Sequence, residues 1–421
     1  MIRYLRTLSL YTLVGVINAG IGFFLLPVLT KYLTPADYGV ISLVNVYVSV
    51  LMPIVGLSTA GYITVEYYNP KLPREQFPAV FSSVRVIPVF GILLMAILFF
   101  AGQQFFPSWM ELPIQAYWMI LPLTLASLYV SNFSSFLVAT KRASLFTSTS
   151  FTKLLLEISI TLSLVVGIGM QWEGRIYSAL ITALVFTLVS VFFYHRWKLL
   201  NRDIKKDIIH KAILFGTPLI MHQIGKFVIN QSDRLFLAKM VSVDEMGIYS
   251  VGYQVGTLIM ILVTAFSNFF SPYLYERLAR NTHKDRLEIV KMSYTFIGAI
   301  LAALLVLVVM TPWLFSWFIN ARFAAGADYV FWVGLGYVFW GVYSIFGGYV
   351  FYHKKTKLLG RLAILNVVLN FIFNYVFIKQ FGAIGAAYAT CLSYMLVAVM
   401  MVLLVARKYP MPWLLQKNAD S

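Results

Sequence analysis

A single cysteine, Cys391, stands in a chain of 421 residues. One thiol excludes an intramolecular disulfide framework, a thiolate metal cage and an iron–sulfur cluster. Cys391 lies in an apolar stretch and is read as a small buried side chain. Charge is equally scarce, at 12% of residues, against 60% apolar. Soluble domains carry roughly a quarter charged and half apolar residues, so a set of soluble domains is excluded. Acidic groups are the scarcest: 16 Asp and Glu against 33 Lys and Arg give a net charge of +17. Alternating strand patterns are missing, which excludes a transmembrane β-barrel. No G-x-x-x-x-G-K-[ST] loop occurs, because Gly225-Lys226 lacks the upstream glycine, so the chain is not expected to hydrolyse ATP. No His/Glu metal pattern, Ser–His–Asp order or dinucleotide fingerprint is found, and no catalytic residue or metal ligand is assigned.

What is present is a series of long apolar stretches, near 8–30, 38–60, 79–101, 114–138, 146–169 and 176–195, then 212–237, 247–271, 292–313, 329–352, 361–379 and 383–406. A spanning helix needs about 20 residues, so the chain reads as an all-α integral membrane protein of about 12 transmembrane helices. The opening Met1-Ile-Arg-Tyr-Leu-Arg6 resembles the start of a signal peptide. The apolar stretch that follows is too long and lacks a small-x-small cleavage site, so it reads as a retained first helix.

Basic residues orient the chain. With both termini in the cytoplasm, 24 of the 33 Lys and Arg fall on cytoplasmic segments, 5 on outer segments and 4 inside helices. That asymmetry is the positive-inside bias, and it accounts for most of the net charge without a ligand.

An internal repeat divides the chain. Lys31–Ser42 aligns with Lys239–Ser250, sharing the Lys, Gly and Ser and setting Asp37 against Glu245. Lys141-Arg142 aligns with Lys354-Lys355, and Gly174–Tyr177 with Gly385–Tyr388. The reading is two six-helix lobes related by a parallel repeat: residues 1–200, a cytoplasmic linker over 201–211, and residues 212–421 with a short tail. Repeats of this kind put a substrate path between the halves.

The run from Gln231 to Ser250 (QSDRLFLAKMVSVDEMGIYS) resembles the helix 7–8 signature of polysaccharide flippases. The run from Leu29 to Gly39 (LTKYLTPADYG) is similar to their helix 1–2 junction. The chain is thereby identified with the O-antigen flippase branch of the multidrug/oligosaccharidyl-lipid/polysaccharide exporter superfamily. Helix count extends the resemblance over the whole chain, whereas the motifs cover these two stretches. The resemblance implies lobes that rock to alternate access, a polyprenyl-diphosphate-linked oligosaccharide as cargo, and the bacterial inner membrane as location. It also implies contact with a polysaccharide polymerase and a chain-length regulator. The lipid-II flippases usually carry two further helices, absent here. The drug exporters of the superfamily are the first alternative. A membrane-embedded glycosyltransferase or polymerase is the second, opposed by the short outer loops.

Ionisable groups inside a membrane cost about 2.5–3.5 kcal/mol each on insertion scales and mark cavities or partners. His222, Lys226, Asn230 and Asp233 follow one another at steps of four, four and three, which puts them on one helical face; Gln223 and Arg234 widen that stripe. Lys153 and Glu157 are four apart and can pair along a helix. Asn366 and Asn370 stand at the corresponding places of the second half, followed by Asn374, so a shared cavity wall is expected. Arg85 lies inside the third span, where snorkelling to the headgroups competes with a role at the inner mouth. Asn18 sits between Gly15 and Gly22, a spacing that also serves close helix packing. The intramembrane groups sum to a positive excess, which favours an anionic cargo over organic cations. Lys226, Lys153, Arg85, Arg234, Asn230, Asn18, Asn366 and Asn370 are therefore the substrate-binding candidates. Glu157, Asp233 and His222 are the candidates for coupling to a proton or sodium gradient, with no cofactor.

Overall fold

The computed structural model describes residues 23, 25–409 and 411–413; the side chains of His222 and Lys226 are outside the described set. Asn18, with most of the expected first span, is outside it as well. Every described element is a helix or a connection between helices. A helix satisfies its own backbone, which is the condition for crossing a bilayer.

A first helix, α1, covers residues 25–32. It is followed by α2 (Pro35–Gly56), α3 (Thr59–Tyr67), α4 (Phe77–Arg85), α5 (Ile87–Ala101), the short α6 (Phe106–Trp109), α7 (Ile114–Ala139), α8 (Ala143–Thr161) and α9 (Trp172–Arg196). The second series is α10 (Lys206–Met240), α11 (Val243–Gly256), α12 (Leu258–Arg280), α13 (His283–Trp317), α14 (Ala327–Tyr352), α15 (Thr356–Phe381) and α16 (Ile384–Lys408). Among the described residues 10 helices or helix pairs are long and apolar enough to span a membrane. The count is 11 if α10, bent by 53° around residue 226, is one span. These are the expected spans from the second onward, each longer than its apolar run except Pro35–Gly56, which is 22 residues long and ends before the run 38–60 does. α10 begins at Lys206, not 212, so most of the expected linker is helical.

The repeat is written into the helix ends. Thr34 caps α2 and receives the Asp37 amide, while Ser242 caps α11 and receives that of Glu245 at 3.1 Å. Lys141 and Lys354 both take a left-handed conformation, each with φ 58°, where one helix hands over to the next. α7 and α14 are both 26 residues long and start at positions 114 and 327, the same separation that relates Lys141 to Lys354.

Two compact units emerge from the packing. The first holds 32–235 and the second 22–31 with 236 onward. These limits differ from the expected lobes, since most of α10 packs with the first unit and all of α1 but its last residue with the second. In the first unit α7 is central, lying against α2, α3, α5, α8 and α9. In the second unit α14 takes that place, against α11, α12, α13 and α16. The first unit has a ring-rich core near one end, where Phe81, Phe133, Phe136 and Tyr194 interlock. Cys391 is buried in α16 as a free thiol.

Leu57 and Ser58, both at positive φ, break the second span between α2 and α3. Gly216 of α10 lies so close to the Leu57 carbonyl that a Cβ would collide with it. Gln223 donates to Ser58 Oγ at 2.7 Å, fastening α10 to the same break.

Candidate functional site

Arg85 is the last residue of α4, about 12 Å along the helix from Phe77. Pro88 has no amide to donate, and the Val89 amide bonds to Val86 instead of Arg85. The Arg85 carbonyl is thus released, and it accepts from Tyr129 Oη at 2.9 Å. The guanidinium is half-buried among three rings: 4.7 Å from the centroid of Tyr194, 5.2 Å from Tyr129 and 5.7 Å from Phe81. No carboxylate pairs with it among the described residues. Aromatic faces stabilise a cation by about 0.5–2 kcal/mol without occupying its N–H groups. The rings therefore leave the Arg85 N–H donors unoccupied.

The linker passes over the same helix. Ser82 Oγ donates to the Leu199 carbonyl at 3.2 Å and accepts from the Asn201 amide at 2.7 Å. Ser83 Oγ accepts from the Lys205 amide at 2.9 Å. Two small hydroxyl residues of α4 thus hold residues 199–205 beside Arg85.

A second charged group joins α8 to α9. Lys153 and Glu157 do stand together, but at 3.8 Å. The shorter bond of Glu157 runs to Arg175 in the first turn of α9, at 2.8 Å. The expected pair is a triad of two cations and one carboxylate. Ser178 Oγ donates to the Glu157 carbonyl at 2.9 Å and lies 2.6 Å from Thr161 Oγ1, locking the two helices at this level. Just beyond Thr161, α8 widens into a π-turn over Leu162–Gly167.

On α10, Asp233 is buried and Arg234 covers it, with Nη1 3.2 Å from Asp233 Oδ1 and 3.2 Å from the Asn230 carbonyl. Asn230 itself is exposed. His222 and Lys226 fall on this helix, on the expected stripe, with side chains outside the described set.

The asparagines of α15 are placed differently from expectation. Asn366, Asn370 and Asn374 are all buried. Asn374 Nδ2 donates to Asn370 Oδ1 at 3.0 Å, and Asn370 Nδ2 to Ser393 Oγ of α16 at 3.3 Å. Asn370 and Asn374 form an amide ladder in the α15–α16 seam, not an open wall; Asn366 is buried on the same helix with no hydrogen-bond partner for Oδ1 among the described residues. Amides can satisfy one another across a helix pair, and burial in apolar surroundings rewards that pairing.

Sequence reading missed Arg175, which was assigned to an outer segment because apolar composition starts at 176. It also missed the rings around Arg85, since Tyr129 and Tyr194 reach it from α7 and α9. Only the lone arginine within an apolar span signalled that site.

The model of the polysaccharide biosynthesis protein family matches residues 4–276, and the chain belongs to this family. The MatE model matches residues 218–376. "Lsg locus putative protein 1" of Haemophilus influenzae is 27% identical over 207 residues, 47% of this chain and 50% of that protein. A "probable low-salt glycan biosynthesis flippase" of Haloferax volcanii is 24% identical over 55% of this chain and 48% of its own length. The chain thus spans about half the length of the curated relatives it matches. Among solved structures, the lipid II flippase MurJ in an inward closed conformation shares the fold with TM-score 0.72 and 16% identity, covering 96% of this chain and 88% of that one. An inward-facing multidrug MATE transporter of the MOP superfamily gives TM-score 0.71 and 13% identity, covering 93% and 94%. The fold is that of this transporter superfamily, in a multi-pass membrane protein.

Proposed function

We propose that the chain moves a polyprenyl-diphosphate-linked oligosaccharide from the cytoplasmic to the outer leaflet of the bacterial inner membrane, by alternating access, for surface polysaccharide synthesis. The observation that carries this reading is Arg85, a half-buried cation surrounded by rings with no carboxylate partner among the described residues. A charge kept in such a place is stabilised by an anion that arrives, and a diphosphate offers strong acceptors to a guanidinium fork. Family membership supports the same conclusion. Both termini in the cytoplasm, with the basic linker, would place Arg85 toward the inner leaflet where such a cargo is made. A proton or sodium gradient drives the cycle in this reading, with Glu157, Asp233 and His222 as coupling groups. A polymerase and a chain-length regulator would receive the product.

Depletion of the protein in its native cell tests the proposal directly. The expected result is accumulation of the polyprenyl-diphosphate glycan on the cytoplasmic leaflet. Arg85→Ala at normal protein level should slow flipping about tenfold or more, as loss of a charge-assisted bond does, whereas Arg85→Lys should retain part of the rate. An unchanged glycan distribution on depletion would refute the reading. The MatE match over 218–376 favours a second reading, export of drugs or organic cations. That reading expects normal surface glycan and raised dye sensitivity instead.

A further inference from the structure

The α8–α9 triad uses its charges incompletely. Glu157 divides its two oxygens between two cations, Oε1 to Arg175 Nη2 at 2.8 Å and Oε2 to Lys153 Nζ at 3.8 Å. Arg175 therefore engages one prong of its fork. Its other terminal nitrogen, Nη1, is buried and has no hydrogen-bond partner among the described residues. A guanidinium binds a carboxylate best with two parallel N–H···O bonds, and a buried donor without a partner is costly. The internal carboxylate leaves that demand unmet, because Glu157 is tethered through α8 and shared with Lys153.

We propose that Arg175 and Lys153 form a subsite for the carboxylate of an acidic sugar in the cargo, and that Glu157 fills it while cargo is absent. The inference rests on the flippase reading and names one chemical group of its substrate. Two cations and one carboxylate leave a single positive charge, which one sugar carboxylate neutralises. Lys153 is the accessible edge, with 39% of its side chain exposed against 20% for Arg175 and 14% for Glu157. Backbone and side chain of Glu157 are held separately: Ser178 bonds its carbonyl, so the carboxylate can swing aside while the helices stay joined. The repeat supplies a control. Asn366 and Asn370 hold the equivalent positions on α15, so this level of the fold does not require charge to pack.

The test uses the purified full-length protein in detergent, with D-glucuronate, D-glucose and inorganic pyrophosphate as probes and thermal unfolding as readout. Glucuronate should stabilise the wild type saturably, and glucose should not. Glu157→Gln, which keeps shape and removes the competitor, should bind glucuronate about tenfold more tightly. Arg175→Gln should lose the effect, and Arg175→Lys, which keeps charge but not the fork, should bind more weakly than wild type. The lysine variant decides the matter if the glutamine variant does not fold. Equal glucuronate binding by wild type, Glu157→Gln and Arg175→Lys would overturn the proposal. So would pyrophosphate binding that depends on Arg175 while glucuronate binding does not, which would assign the triad to the diphosphate. Flipping of the native cell's own lipid-linked glycan, measured in vesicles, separates the two levels. Intact flipping without glucuronate binding removes the subsite alone, and absence of flipping removes the parent reading.

Discussion

Two helix seams at equivalent positions of the repeat meet the same difficulty by different chemistry. The α15–α16 seam is neutral: its asparagines are buried, Asn374 bonds to Asn370 and Asn370 to Ser393, while Asn366 Oδ1 has no hydrogen-bond partner among the described residues. The α8–α9 seam is charged and partly open, with Lys153 and Glu157 at the repeat positions of Asn366 and Asn370 and Arg175 bonded to Glu157 from α9. A neutral amide ladder costs little to bury once its bonds are made, and it has no reason to change partners. An ion triad costs more, and its members are stable only while each finds a counter-charge. Under the proposed subsite, the state of the charged seam depends on which anion is present.

The largest effect is expected from orphaning a charge. Glu157→Ala leaves Arg175 without its short bond and should destabilise the protein by about 3 kcal/mol, read as a drop in unfolding temperature in detergent. Combining Glu157→Ala with Arg175→Ala should cost less than Glu157→Ala alone, since no buried charge then remains. A larger cost for the double variant would show that the seam depends on side-chain volume, not charge. In the neutral seam, Asn370→Ala removes two side-chain bonds and leaves Asn374 and Ser393 short of partners, for about 1–3 kcal/mol. Unlike Glu157→Ala, that loss should be insensitive to added glucuronate. Ser178→Ala removes the hydroxyl that joins α9 to the Glu157 carbonyl and should cost about 1 kcal/mol, with little change in glucuronate affinity. Lys153→Ala should be the mildest for stability, below about 0.5 kcal/mol, because an ion pair of 3.8 Å on an exposed side chain is weak. Its effect should appear in ligand affinity instead.

Much of the fold is legible in the amino-acid sequence. Among the described residues ten of the twelve expected spans appear as helices or helix pairs at their expected places, with bent α10 as an eleventh if it is one span, and the repeat detected from Lys141-Arg142 and Lys354-Lys355 returns as two matching left-handed junctions. The breaks are less legible. Leu57 and Ser58 carry no Gly or Pro to announce positive φ, and their conformation is sustained by contact with Gly216 and Gln223 far along the chain. The candidate site is legible as a set of residues more than as a set of partners. Lys153 and Glu157 share a helix, so their spacing brings them near one another. Arg175 joins from the next helix, and no spacing rule relates it to Glu157. Asn366, Asn370 and Asn374 carry the same ambiguity: polar residues at steps of four fit a cavity wall and a helix seam equally.

By itself the sequence determined that this is a helical membrane protein, where most of its helices run and that its halves are repeats. Those properties are local or periodic: a bilayer forces each apolar stretch to satisfy its own backbone, and charge bias acts loop by loop. Tertiary structure alone decided that Arg85 is ringed by aromatics, that Glu157 prefers Arg175 to Lys153, and that Asn370 bonds across to α16. Those choices depend on which side chains of separate helices arrive within bonding distance, and helix packing sets that.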